Sequence, residues 1–232
     1  MLIQAHPGLR LQVRRIGAEG APLLVIDNVV ADPEKLVNKA ARSRFSVQGA
    51  YFPGLRARAP ASYEYFLESL LEPLLHEHFG MAPGRFSFPM CHYSLVATPP
   101  EKLNFLQRIP HFDSNADNGL ATVHYLFRDN WGGTAFYRHR QTGFETIGEA
   151  RAPAYFECLQ RESRGEDAPG ASYINGDTTL FERIDQADGV FNRMLVYRRN
   201  SLHSATIDNS LVPPADPLSG RLSINAFIDV AG

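Results

Sequence analysis

The chain has 232 residues, 44% hydrophobic and 21% charged, with a formal net charge of -2. That length suffices for one domain with a developed core, and the near balance of charge gives no broad basic field, so neither nucleic acid nor an anionic membrane surface is expected as a partner. Nothing approaches the roughly 18 apolar residues of a membrane span, and the opening MLIQAHPGLRLQVRRIG lacks a signal peptide's apolar region, so a cytoplasmic location is expected.

Taken in chain order, Val13 to Val30 reads as one or two strands around Leu23-Leu24-Val25-Ile26. Asp32 and Pro33 supply an N-cap and a first-turn proline, which open a helix to about Phe45. Tyr51 to Pro60, rich in proline, glycine and arginine, reads as a loop. Ser62 can cap a second helix to Phe79, with Gly80 as its stop and Pro73 predicting a kink or a split. From residue 85 the texture changes to short runs rich in aromatic and β-branched residues: 86–98, 121–127, 134–138, 143–147, 190–197 and 222–230. Turn chemistry at Asp129-Asn130, Gly132-Gly133 and Pro213-Pro214 separates them, and 152–164 reads as a short helix. The expected architecture is a single domain over 1–232. It is mainly β, with a helical N-terminal third (1–85) buttressing a jelly roll (86–232). Cys91 and Cys158 are too few for a disulfide framework and read as buried free thiols.

Chemistry enters at Ile109-Pro110-His111-Phe112-Asp113. In a strand, residues two apart share a face, so His111 and Asp113 can serve one site while Phe112 points away. An imidazole with a carboxylate suits a divalent metal such as iron, although a surface turn or a buried hydrogen-bonded pair would look the same. His203 follows a predicted strand far along the chain, and a third ligand so distant suits a barrel. Two histidines and one carboxylate cover one face of an octahedron and leave three positions open, whereas structural zinc wants a fourth protein ligand. Arg221 begins the last predicted strand and shares a face with Ser223. A guanidinium matches a carboxylate with paired donors, and it also suits a solvated strand-end ion pair.

Five pieces therefore stand in order: Tyr93; His111-Phe112-Asp113; Thr122-Val123-His124-Tyr125-Leu126; Trp131-Gly132-Gly133-Thr134-Ala135-Phe136; and His203-Ser204 with Arg221-Leu222-Ser223. Over about residues 86–230 the sequence resembles the Fe(II)/2-oxoglutarate-dependent oxygenase superfamily, in particular its prolyl-4-hydroxylase-like branch. The resemblance implies a double-stranded β-helix, the cupin-like jelly roll. It implies Fe(II) on His111, Asp113 and His203, with 2-oxoglutarate and dioxygen as co-substrates. The far carboxylate of 2-oxoglutarate would meet Arg221 and Ser223, and Tyr93 and Thr122 sit where relatives bond that same carboxylate. It implies hydroxylation of an unactivated C–H bond in a small metabolite or a peptide or protein side chain. Desaturation and cyclisation remain related outcomes, while halogenating relatives lack the carboxylate that Asp113 supplies here.

The sequence departs from the family pattern in the long Ser94 to Ile109 segment and in the 148–189 stretch, which could form a lid or a substrate wall. His124 reads as a satisfied core histidine, and Gly132-Gly133 as turn geometry without a chemical role. Two further readings stay open: a cupin-like metalloenzyme that does not use 2-oxoglutarate, and a non-catalytic jelly-roll binding module. Arg221 discriminates between these and an oxygenase.

Overall fold

The computed structural model of the chain describes residues 2–231. A hairpin opens it, β1 (Arg10–Ile16) pairing antiparallel with β2 (Ala21–Asp27). Helix α1 (Pro33–Ala41) follows; Asp32 stands at its cap, but the carboxylate pairs with Lys35 instead of the helix amides. The helix stops short of Phe45, where Ser46 instead bridges Arg56 of β3 (Gly54–Arg58). Helix α2 (Ala61–Phe79) starts after Pro60 rather than at Ser62 and runs unbroken through Pro73 to Gly80, whose φ of 63° supplies the left-handed stop. Its stripe of Tyr63, Phe66, Leu67, Leu71, Leu75 and Phe79 is buried, and that packing outweighs the hydrogen bond lost at Pro73.

The remainder is β4 (Arg85–Val96), β5 (Gly119–Tyr125), β6 (Thr134–His139), α3 (Ala152–Glu162), β7 (Phe181–Ala187), β8 (Met194–Arg198), β9 (His203–Ala205) and β10 (Arg221–Ala231). These strands form two sheets. The large one has seven strands in the order β1-β2-β8-β5-β10-β4-β3, and the small one has three, β7-β6-β9. All pairings are antiparallel. One face of the large sheet (Leu24, Ile26, Leu120, Ile224, Ala226) packs on α1 and α2. The other face (Val25, Val123, Tyr125, Tyr197) meets Phe136 and Ala187 of the small sheet. Helix α3 covers the small sheet's outer side through Tyr155 and Leu159. The order of layers is therefore helices, large sheet, small sheet, helix, and two facing antiparallel sheets agree with the expected jelly roll.

The helical N-terminal third does not hold. β1, β2 and β3 are three of the seven strands of the large sheet, attached at its two edges through β8 and β4. Their sequences hide this. RLQVRRI is charged and largely exposed, as suits an edge strand that discourages further pairing. GLRAR has weak strand propensity and gains its structure from β4. The 143–147 run forms only a bridge between Thr146 and Ser201, and β7 lies inside the stretch read as a connection. Cys91 and Cys158 are buried and free. No helix among the described residues is long and apolar enough to cross a membrane.

Candidate metal centre

His111 and Asp113 lie not in a strand but just before β5, and the backbone holds them there by other means. His111 and His203 exchange both amide-to-carbonyl bonds at 2.9 Å, and the Asp113 amide donates to the Arg199 carbonyl at 2.7 Å. The start of β9 thus clamps the motif, and the two imidazoles meet with ring centroids 4.3 Å apart. Asp113 oxygens lie 3.7 Å from His111 Nε2 and 3.6 Å from His203 Nε2. These separations exceed a hydrogen bond, yet the three ligand atoms all fall within 4.8 Å of one another.

His203 Nδ1 donates to the Ser201 carbonyl at 3.0 Å. A carbonyl only accepts, so Nδ1 carries a proton, and Nε2 is the nitrogen that faces Asp113. The ring is wedged between Tyr197 and Phe136. Desolvation, then His203 and the Arg56 guanidinium, hold His111 well below the usual imidazole value. Burial raises Asp113, against His203, Arg199 and Arg56. Two imidazoles and one carboxylate make an N,N,O donor set that suits ferrous iron or a similar divalent ion.

A cavity opens beside this cluster, and His111, Asp113 and His203 line it. Arg221 lies in its wall, 3% exposed. Its Nε donates to the Trp131 carbonyl at 3.0 Å and its Nη2 to the Gly133 carbonyl at 2.7 Å. Tyr125 and Phe127 rings flank it at 5.6 and 5.5 Å. Burial lowers Arg221 from the usual guanidinium value, with Tyr125, Tyr173 and Tyr197 opposing. Arg198 donates to backbone carbonyls and Arg199 pairs with Asp229; Arg221 has no carboxylate partner among the described residues. A buried cation without a counter-charge is costly.

β10 explains the wall. Arg221, Ser223, Asn225 and Phe227 line the cavity, while Leu222, Ile224, Ala226 and Ile228 face the helices. Ser223 donates to Asn225 Oδ1 at 2.7 Å. The structure thus brings together His111, Asp113, His203, Arg221 and Ser223. It places Tyr93 elsewhere. Tyr93 pairs in register with Ile224 and packs in the helical core, on the far face of the sheet. Thr122 borders the cavity, but its cross-strand neighbours Ala226 and Val196 belong to the same helical core. Both hydroxyls are buried without a hydrogen-bond partner. His124, two residues on, is fully buried on that side and touches Tyr63 and Asn192.

The residues that sequence reasoning missed are Arg56, Tyr173, Tyr197 and Asn225. Asn225 was readable from its two-residue spacing to Ser223. Tyr173 comes from the 148–189 stretch, and only the fold brings it in. A second cluster, His139, Cys158 and Glu162, is already satisfied, with His139 bonding both Thr142 and Glu162.

A family model described as a family of unknown function (DUF6445) matches residues 7–228. Among curated proteins there is no match. Among solved structures the chain is similar to HygX from Streptomyces hygroscopicus with nickel and 2-oxoglutarate bound. The identity is 12%, covering 90% of this chain and 83% of that one, with a TM-score of 0.51. It is also similar to the non-heme alpha ketoglutarate dependent epimerase SnoN from nogalamycin biosynthesis, at 14% identity, 94% and 79% coverage and a TM-score of 0.50. At such identities the likeness shows a shared fold, that of the non-haem 2-oxoglutarate-dependent enzymes.

Proposed function

The chain belongs to the DUF6445 family of unknown function, and we propose that it is an Fe(II)- and 2-oxoglutarate-dependent oxygenase, hydroxylating an unactivated C–H bond of a small metabolite or a peptide side chain. One observation carries this reading: a buried guanidinium with no carboxylate of its own opens into the same cavity as a two-histidine, one-carboxylate cluster.

The residues divide the work. His111, Asp113 and His203 would hold the metal on one side, leaving the cavity side for small molecules. The Ser201 carbonyl fixes the His203 tautomer, and the Arg199 carbonyl fixes the Asp113 backbone. Arg221, aimed by the Trp131 and Gly133 carbonyls, would bind the far carboxylate of 2-oxoglutarate, with Ser223 beside it. The aromatic wall of Tyr125, Phe127 and Tyr197 excludes water from that contact and strengthens it. When bound, iron and 2-oxoglutarate supply the oxidising chemistry for C–H cleavage, and the protein supplies position and exclusion.

Anaerobic addition of Fe(II) and then 2-oxoglutarate to the full chain tests the reading. A weak visible charge-transfer absorption should appear only with both, and should vanish in Arg221→Ala although iron still binds. Iron binding with no such absorption in the unsubstituted protein would overturn it.

A further inference from the structure

The cavity holds a second guanidinium that this scheme leaves unused. Arg56 of β3 stands opposite Ser94 of β4, which stands opposite Ser223 of β10. The neighbours of Ser94 in sequence, Tyr93 and Leu95, pack in the helical core, so this row of three lies on the cavity face. The Arg56 plane rests on Phe52, 4.2 Å from the ring centroid. Its Nε is buried without a hydrogen-bond partner, and so is the Ser94 hydroxyl. Neighbouring Arg58 pairs with Glu64; Arg56 forms no ion pair among the described residues. Two orphaned polar atoms at adjacent cross-strand positions are a cost the fold bears for a ligand.

Charge identifies the ligand. On the oxygenase reading, Asp113 and a dianionic co-substrate balance a divalent ion and Arg221. Arg56 then carries the one positive charge left over. A single carboxylate neutralises it, whereas a phosphomonoester dianion would overshoot. Phe52 and Pro53, with the exposed Tyr51 and Leu106, supply apolar lining to the same cavity.

We propose that Arg56, with Ser94 beside it, binds the carboxylate of the prime substrate, which is a monoanionic organic acid whose apolar body lies against Tyr51, Phe52, Pro53 and Leu106. The substrate class rests on the oxygenase reading; the carboxylate subsite itself rests on the row of Arg56 and Ser94.

The test is calorimetric titration of the full chain with two matched pairs: N-acetyl-leucine and its methyl ester, and 4-phenylbutyrate and its methyl ester. The protein is loaded with Ni(II), first with and then without 2-oxoglutarate. At least one acid should bind about tenfold or more tighter than its ester. Arg56→Gln should erase that preference and Arg56→Lys restore part of it, while 2-oxoglutarate affinity changes far less. Equal binding of acids and esters, binding of neither acid, or an acid preference that survives Arg56→Gln would overturn the proposal. So would a loss of 2-oxoglutarate affinity in Arg56→Gln matching that in Arg221→Ala, which would assign Arg56 to the co-substrate. Arg56-dependent acid binding with no response to 2-oxoglutarate would sink the oxygenase reading and keep the subsite.

Discussion

His203 and His124 show how the same side chain is committed to two ends by its hydrogen bonds. His203 spends its Nδ1 proton on the Ser201 carbonyl and keeps Nε2 for the cluster. His203→Ala should therefore lower Ni(II) or Fe(II) affinity by roughly 100-fold or more, with circular dichroism unchanged, because the helical core does not touch this ring. His124 spends both nitrogens inside the protein. Asn192 Oδ1 also accepts from the Val30 amide, so it accepts from His124 Nε2 as well, and Nδ1 accepts from the Tyr63 hydroxyl at 2.8 Å. Burial pushes this imidazole down to about 4, against its bond to Asn192. The unfolded chain then takes up the proton first as pH falls. His124's contribution is complete above about 6.5 and is lost by about pH 4, a change on the order of 3 kcal/mol. Urea unfolding between pH 7 and 4.5 should show a shallower loss in His124→Gln than in the unsubstituted protein; parallel profiles would refute this.

At the scale of elements, alternation within one strand was readable, but the phase of another was not. In β10 polar and apolar residues alternate from Arg221 to Ala226, so its two faces declare themselves over that stretch. β4, RFSFPMCHYSLV, carries aromatic and apolar residues on both faces. Only its pairing of Ser94 with Ser223 and of Tyr93 with Ile224 decides which face sees the cavity. Thr122 follows the same logic in β5, where every residue is buried. The Gly132-Gly133 turn has more than geometry to do, since the Gly133 carbonyl holds Arg221. A Cβ on Gly133 would fall 1.9 Å from the Ala187 carbonyl oxygen. Gly133→Ala should thus cost about 2–3 kcal/mol of stability and weaken 2-oxoglutarate binding about tenfold, a loss that calorimetry would detect. Unchanged affinity would mean Arg221 does not need that carbonyl.

Across the whole molecule, Glu145 ties the two sheets together. Buried at 3% exposure, it accepts from the Ala18 and Glu19 amides in the β1–β2 turn and from Arg138 of β6. Burial alone would raise its carboxyl, but those amides and Arg138 hold it below the ordinary value. It therefore stabilises the fold above the ordinary carboxylate range and ceases to do so as pH falls through its lowered value. Glu145→Gln should destabilise by about 3 kcal/mol, read as a lower urea midpoint, and should weaken the pH dependence at the acid end. The amino-acid sequence by itself determined the β-rich core and the helices α1, α2 and α3, and its ordered short motifs named His111, Asp113, His203, Arg221 and Ser223, although pairing with distant residues, and not strand alternation, holds His111 and Asp113 at one site. Only the tertiary structure decided that the first third supplies three sheet strands, that Tyr93 turns to the helical side, and that Arg56 and Tyr173 enter the cavity. Those outcomes depend on which strands pair and in which register, and pairing energy between distant segments leaves no mark in either segment alone.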